Sequence, residues 1–442
     1  LSWNETNDFP HHTFRWEGID GSTVFTHFPP VDTYNAEFSI TELTHAVENF
    51  RDKGRSTRSF MPFGWGDGGG GPTAQMMERF RRTSDLEGLP RVEVGSPTEF
   101  FDAVIAEYPD APRWVGELYF EKHRGTFTSQ ADTKAGNRRC ERLLRDAELF
   151  SMLAGPGGGA YAHDVLDEAW RVVLVNQFHD ILPGSSIGWV HREAEEAYDD
   201  VADTLEALIV DALTAAAGGA VAVANATPTA RREVVEVDAS EPMSHAGQEL
   251  GGGRRAVLVD VPPLCLAPLS PVEPRHPVTV DANGLDNGVV SVHLDASGRV
   301  ASFVDLATGR DAFVPGAPGH VLQLLDDRPA EFDAWDISAA GDCRRRDIDH
   351  VESIEVVEAG PLIGSIRVTR RDGPSTFVET LRLSADSPRL DIIVEVDWRH
   401  RDTLLKAAFP VDLNTTEMTR EIQYGHYTCL LYTSPSPRDF SC

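Results

Sequence analysis

Cysteine is scarce and lysine almost missing. Five cysteines (Cys140, Cys265, Cys343, Cys429 and Cys442) stand in 442 residues, odd in number and never at Cys-x-x-Cys spacing. A disulfide framework and a thiolate zinc site are therefore excluded as organising features, and a reducing, cytoplasmic compartment is favoured. Lysine supplies four of the 40 basic residues, a bias that carries no functional reading. Positive charge is short overall: 70 acidic against 40 basic residues leave a formal charge of −30. That field repels polyanions at long range, which excludes nucleic acid and anionic membrane surfaces as partners. No uninterrupted apolar run reaches the roughly 18 residues that a membrane-spanning helix needs.

What is present suits a folded, multidomain chain. Hydrophobic residues make up 41% of the sequence and the mean hydropathy is −0.27, enough apolar material for sizeable cores. The length predicts two or three domains. The chain starts at Leu1 without an initiator methionine or a signal-like segment, and Leu1-Ser2-Trp3-Asn4 reads as the middle of a strand. Cys429 to Cys442 breaks from the alternation before it, resembles translated adapter readthrough, and is expected to be a non-native tail.

Three regions differ in period. Residues 1–125 mix signals: a β-rich run at Thr23–Phe28, a helix over Ser39–Phe50 capped by Ser39 or Thr41, and a helix over Thr73–Arg82. A strand is predicted at Arg91–Val94 and a helix from Ser96 to Glu107, an α/β pattern. Residues 126–217 read as three amphipathic helices. The first carries Cys140, Leu143, Leu144, Ala147 and Phe150, and the last turns Val190, Ala194, Ala197, Val201, Leu205 and Leu208 inward. From 218 to 428 the period is two, with turns expected at Asn283-Gly284, Asn287-Gly288 and Ser297-Gly298, a pattern of β-sandwich type.

Several polar clusters could carry chemistry. Gly64-Trp65-Gly66-Asp67 runs into four consecutive glycines, Gly68 to Gly71. It lacks the Gly-Lys-Ser/Thr ending of a P-loop and the context of a dinucleotide fingerprint. Asp67 is thus either a carboxylate on a flexible βα loop, where barrel-like domains place catalytic acids, or a cap for the following helix. In Asn176-Gln177-Phe178-His179-Asp180-Ile181-Leu182-Pro183-Gly184-Ser185-Ser186, His179 either complements a helix dipole or ligates a metal whose other ligands lie elsewhere. Phe332-Asp333-Ala334-Trp335-Asp336 pairs an indole with two carboxylates, suited to sugar hydroxyls and C–H faces, or to a half-buried tryptophan in a β core.

These stretches together resemble glycoside hydrolase family 38, the α-mannosidases, most closely the cytosolic and bacterial type. Trp16–Pro30, Gly64–Thr73, Gly116–Ser129, Asn176–Ser186 and Phe332–Asp336 follow one another in the family's order. The resemblance implies a multidomain chain: the carboxyl-terminal part of a barrel-like α/β catalytic domain at 1–125, a three-helix bundle at 126–217, and one or two truncated β-sandwich domains at 218–428. It implies a retaining exo-α-mannosidase acting on terminal α-mannosides, glycans or small mannosides, with one zinc ion. His179 matches a zinc ligand, Asp180 a carboxylate that contacts sugar hydroxyls, and Asp67 the general acid/base. Tyr34 and His123 align with positions lining the mannose site. The family's early His-x-Asp pair and its nucleophilic aspartate have no match in this sequence and are expected upstream of Leu1. Retaining hydrolysis needs two carboxyl groups about 5 Å apart, so the isolated chain is expected to be inactive. A homo-oligomer is compatible with this reading. The rival reading is a non-catalytic glycan-binding or scaffold protein derived from such an enzyme.

Overall fold

The computed structural model describes residues 9–18, 20–66, 68–116, 118, 121–155, 161–240, 247–329, 331–337, 344–422 and 425–430. It is a mixed helix and sheet structure with several small sheets. The chain divides into two compact units: residues 1–124 with 415–439, and residues 125–414 with 440–442.

In the first unit, strand Thr13–Glu17 lies between antiparallel Thr23–His27 and parallel Arg113–Val115. Three helices follow capping signals legible in the sequence. Ser39 accepts from Glu42 N before α1 (Ile40–Asn49), Thr73 from Met76 N before α2 (Ala74–Thr83), and Ser96 from Glu99 N before α3 (Pro97–Glu107). The strand expected at Arg91–Val94 does not form. Val94 is exposed, Val92 N bonds to the turn carbonyl of Ser84 at 2.9 Å, and among the described residues no neighbouring strand takes up the remaining donors. Alternation without a buried face and a pairing partner does not make a strand.

Burial sets one titration here. His27 Nδ1 lies 3.0 Å from Thr13 Oγ1, and Nε2 accepts from Phe60 N at 3.1 Å. The ring is thereby fixed as a neutral tautomer with hydrogen on Nδ1.

In the second unit, α4 (Ala131–Ala154), α5 (His163–Asn176) and α6 (Gly188–Ala217) share one apolar seam. It contains Cys140, Leu143, Leu144 and Ala147 from α4, Leu166, Ala169 and Val173 from α5, and Ala194, Tyr198, Val201 and Leu205 from α6. The expected inward set of α6 shifts by one position at two points. Tyr198 and His191 are buried where Ala197 and Val190 were expected. Tyr198 Oη lies 3.5 Å from Asn137 Oδ1 and His191 Nδ1 3.1 Å from Thr133 Oγ1, which offsets part of the cost of burying them, while His191 Nε2 is buried without a hydrogen-bond partner among the described residues.

Downstream, a five-strand meander from Thr279–Asp281 to Arg310–Asp311 and a four-strand antiparallel sheet from Val351–Ala359 to Leu390–Asp397 contribute to one core around Leu285, Val292, Ile366, Val368 and Leu381. At the first hairpin, Ala282-Asn283 forms the turn, and Gly284 belongs to the next strand rather than to the turn expected there. A Cβ on Gly284 would stand 2.1 Å from Val292 O, so strand approach, not turn geometry, requires glycine. The segment expected as a tail from Cys429 begins inside a strand, Gly425–Leu430, and residues 431–442 lie outside the described set.

The neutral state of His27 predicts an acid-labile first unit. Burial pushes its pKa from 6.5 down to about 3, so the unfolded chain binds the proton first. The stability it carries is complete above pH 6.5 and is lost as pH falls toward about 3, with a slope approaching about 1.4 kcal/mol per pH unit. His27→Gln, followed by denaturation across this range, should flatten that part of the profile; an unchanged slope would assign the acid sensitivity to other groups.

Candidate functional site

The first unit holds the glycine loop. Ala36 bridges Phe63 in parallel, and Gly64 N bonds Ala36 O at 3.1 Å. The loop then closes on itself through Trp65 N to Gly71 O at 3.0 Å. A side chain at Gly70 would sit 2.5 Å from Trp65 O, so this closure is open to glycine alone. Gly66 N donates to Asn35 Oδ1 at 2.7 Å, and a Cβ on Gly66 would lie 3.5 Å from the Tyr34 ring. The structure thus brings Tyr34, 47% exposed, against the residue that precedes Asp67. Asp67 itself lies outside the described residues. His123 is half-buried at a kink within the short 3-10 segment Glu121–Phe127, with φ −117° and ψ 18°.

The second unit holds the His179–Asp180 turn. Helix α5 ends at Asn176, and Gln177 ties the exit to α4 through Nε2, which donates to Asn137 Oδ1 and Glu141 Oε1 at 3.0 Å each. Ile181 N and Leu182 N both bond back to Phe178 O, and Gly184 N to Ile181 O. Ser186 Oγ donates to Asp180 O at 2.5 Å. The backbone is therefore pinned while the side chains project to solvent: His179 is 75% and Asp180 48% exposed, Nε2 to Oδ2 3.5 Å. The Phe178 ring packs on the imidazole at 4.2 Å. None of the described contacts of His179 is to an α5 carbonyl, so dipole capping gains no support.

Three residues that the sequence reading left without roles hold this turn in place. Lys134 Nζ, from the first turn of α4, donates to Ser129 O at 2.6 Å and Leu182 O at 2.8 Å. Gly184 has φ +89°, and a Cβ there would meet Ser129 O at 2.6 Å. Ser129 Oγ reaches Gly125 O at 2.8 Å and Ala334 O at 2.9 Å, and Gly125 N donates to Trp335 O at 2.8 Å. The Phe332–Asp336 turn is thereby docked against the same 125–129 segment. Ser129 and Gly184 stand within motif stretches of the sequence, but nothing local marks their contact. Asp327 was also missed; burial pushes its carboxyl up, helped by Asp402, Asp326 and Asp333.

The donor set falls short of a whole zinc site. His179 and Asp180 offer one imidazole and one carboxylate, and among the described residues no group of three or more histidine, cysteine, aspartate or glutamate side chains is placed to hold a metal. Protein zinc takes three or four such ligands. The described residues alone therefore do not fit a zinc ion. An apolar cleft of about 340 Å³, lined by Val300, Phe303, Phe313, Leu390, Ile392 and Phe409, includes none of the motif residues. No helix among the described residues is long and apolar enough to cross a membrane.

Comparison with known proteins places all of this in one context. The chain matches the glycosyl hydrolases family 38 N-terminal domain over residues 1–117, the alpha mannosidase middle domain over 121–215, and the glycosyl hydrolases family 38 C-terminal domain over 285–428. It is 39% identical over 446 aligned residues to human alpha-mannosidase 2C1, covering 96% of this chain and 42% of that protein. Alpha-mannosidase of Saccharomyces cerevisiae is 30% identical, with 96% of this chain and 40% of that protein covered. The chain thus spans less than half the length of these relatives. The crystal structure of an alpha-mannosidase from Enterococcus faecalis superposes with a TM-score of 0.71 at 15% identity, covering 96% of this chain and 60% of that one, a likeness of fold.

The packing of Gly184 generates a direct comparison. Gly184→Ala should cost about 2–4 kcal/mol, since strain at positive φ adds to a backbone clash. Gly219→Ala has φ +86° but nothing within 4 Å of the new Cβ, and should cost about 1–2 kcal/mol. Chemical denaturation of both variants checks this; equal losses would show that the His179 turn yields without penalty.

Proposed function

This chain belongs to glycosyl hydrolase family 38, and we propose that it forms part of a retaining exo-α-mannosidase. The observation that carries the reading is the pinned turn that presents His179 and Asp180 side by side to solvent. A backbone fixed by several hydrogen bonds, with an imidazole and a carboxylate left exposed, is an arrangement for binding something polar rather than for stability.

In this reading Asp67 is the general acid/base: its carboxyl protonates the departing glycosidic oxygen, then accepts a proton from the attacking water. The nucleophilic carboxylate is not assigned to any residue of this chain. Asp180 accepts hydrogen bonds from mannose hydroxyls, and Tyr34 and His123 line the sugar. His179 would hold one coordination position of a zinc ion whose remaining ligands are not among the described residues, and such an ion would supply positive charge for ordering sugar hydroxyls. The substrates are terminal α-mannosides, as glycans or small glycosides. A cytoplasmic setting belongs to the same reading.

Two measurements test these assignments in a protein of the relatives' full length that carries this chain. Asp67→Asn should slow aryl α-mannosides with poor leaving groups far more than those with good ones, because protonation matters most for a basic leaving oxygen. Equal losses across the leaving-group series would remove Asp67 from the acid/base role. His179→Ala should lower zinc content and hydrolysis together, with excess zinc restoring part of both. A histidine that merely complements the helix dipole would instead cost about 0.3–1 kcal/mol of stability and leave the metal content unchanged, and that outcome would end the ligand assignment.

A further inference from the structure

The start of α4 breaks two local rules at once. Its N-cap, Gln130, sits at φ +56° and makes no side-chain cap bond, and a lysine occupies the first turn, where the helix dipole disfavours positive charge. The amine of Lys134 is half-buried, and burial pushes its pKa down to about 8. Among the described residues no carboxylate pairs with it. Its partners are two backbone carbonyls from two separate segments, Ser129 O and Leu182 O. A methionine or leucine would serve packing at this position without desolvating a charge. Local conflicts of this kind concentrate where function requires them.

We propose that Lys134 is a positioning residue: by donating to Ser129 O and Leu182 O together, it fixes the turn carrying His179 and Asp180 against the 125–129 segment, to which Ser129 also docks the Phe332–Asp336 turn. The part this plays in catalysis rests on the mannosidase reading; the positioning itself does not. Lys134 touches neither sugar nor metal. It acts through Leu182, two residues beyond Asp180, and through Ser129, whose oxygen also faces Gly184. Ser129 extends the arrangement with a separate bond, Oγ to Ala334 O at 2.9 Å.

The test is amide hydrogen exchange on the full 442-residue chain, a readout independent of hydrolysis. Lys134→Met should speed exchange over residues 178–186 about ten-fold, leaving the central turns of α4 and α6 and the strands around Ile366 and Leu381 unchanged. Lys134→Arg, which retains charge and several donors, should restore most of the protection. Ser129→Ala should loosen 332–337 while leaving Lys134's carbonyl bonds available. Unchanged exchange over 178–186 in Lys134→Met, or a rise spread evenly through the bundle with no rescue by arginine, would overturn the proposal. Should Lys134→Met fail to fold, Lys134→Gln is read in the same way, since its side chain is one bond shorter and does not carry a donor out to where Nζ meets the two carbonyls. Local loosening in a chain whose full-length form lacks mannosidase activity would refute the function and keep the positioning role.

Discussion

The carbonyl oxygen of Ser129 is the point on which the second unit's polar turns depend. Lys134 Nζ donates to it from one side, and Gly184 approaches it so closely that no side chain fits between. The same residue's hydroxyl reaches Ala334 O. Three segments far apart in sequence are thereby set against one another by two side chains that meet backbone carbonyls and by one close backbone approach. Side chains on such a framework lose little orientational freedom on meeting a ligand, because the ordering entropy was spent during folding. His179 and Asp180 are exposed on a backbone that is itself held.

A comparable logic runs through the glycine loop of the first unit. The closure at Trp65 and Gly71 and the approach of Gly70 to Trp65 O are backbone events. Gly66 is held by the side chain of Asn35, next to Tyr34. Four glycines in a row cost conformational entropy on ordering, and the loop's internal bonds recover part of it. Both turns are thus held by main-chain hydrogen bonds.

Elsewhere the structure follows general rules that say nothing of function. The bundle seam, the capping residues of α1 to α3 and the core around Val292 and Ile366 answer to apolar period and turn chemistry. In the sheet core Glu379 meets both Arg370 and His320, so its charge is compensated. The entry to α4 departs from these rules: a helix without a side-chain cap begins at a left-handed residue, and a half-buried amine in its first turns meets backbone carbonyls instead of a carboxylate.

The sequence by itself determined the helices, the caps of α1 and α3, the switch to strand period after residue 218 and the motif stretches around Asp67, His179 and Trp335, because each of these depends on neighbours within a turn or two of chain. Its failures have the same root. Arg91–Val94 alternates correctly but finds no pairing strand, and the burial of Tyr198 in place of Ala197 depends on what stands opposite it on α4. Which side chains stand near the glycine loop, and that Lys134, Ser129 and Gly184 meet, was decided by the tertiary structure alone. Contacts between a lysine, a carbonyl and a missing Cβ leave no periodic trace in the chain: a backbone oxygen is present at every residue, and only the fold determines which one a distant amine can reach.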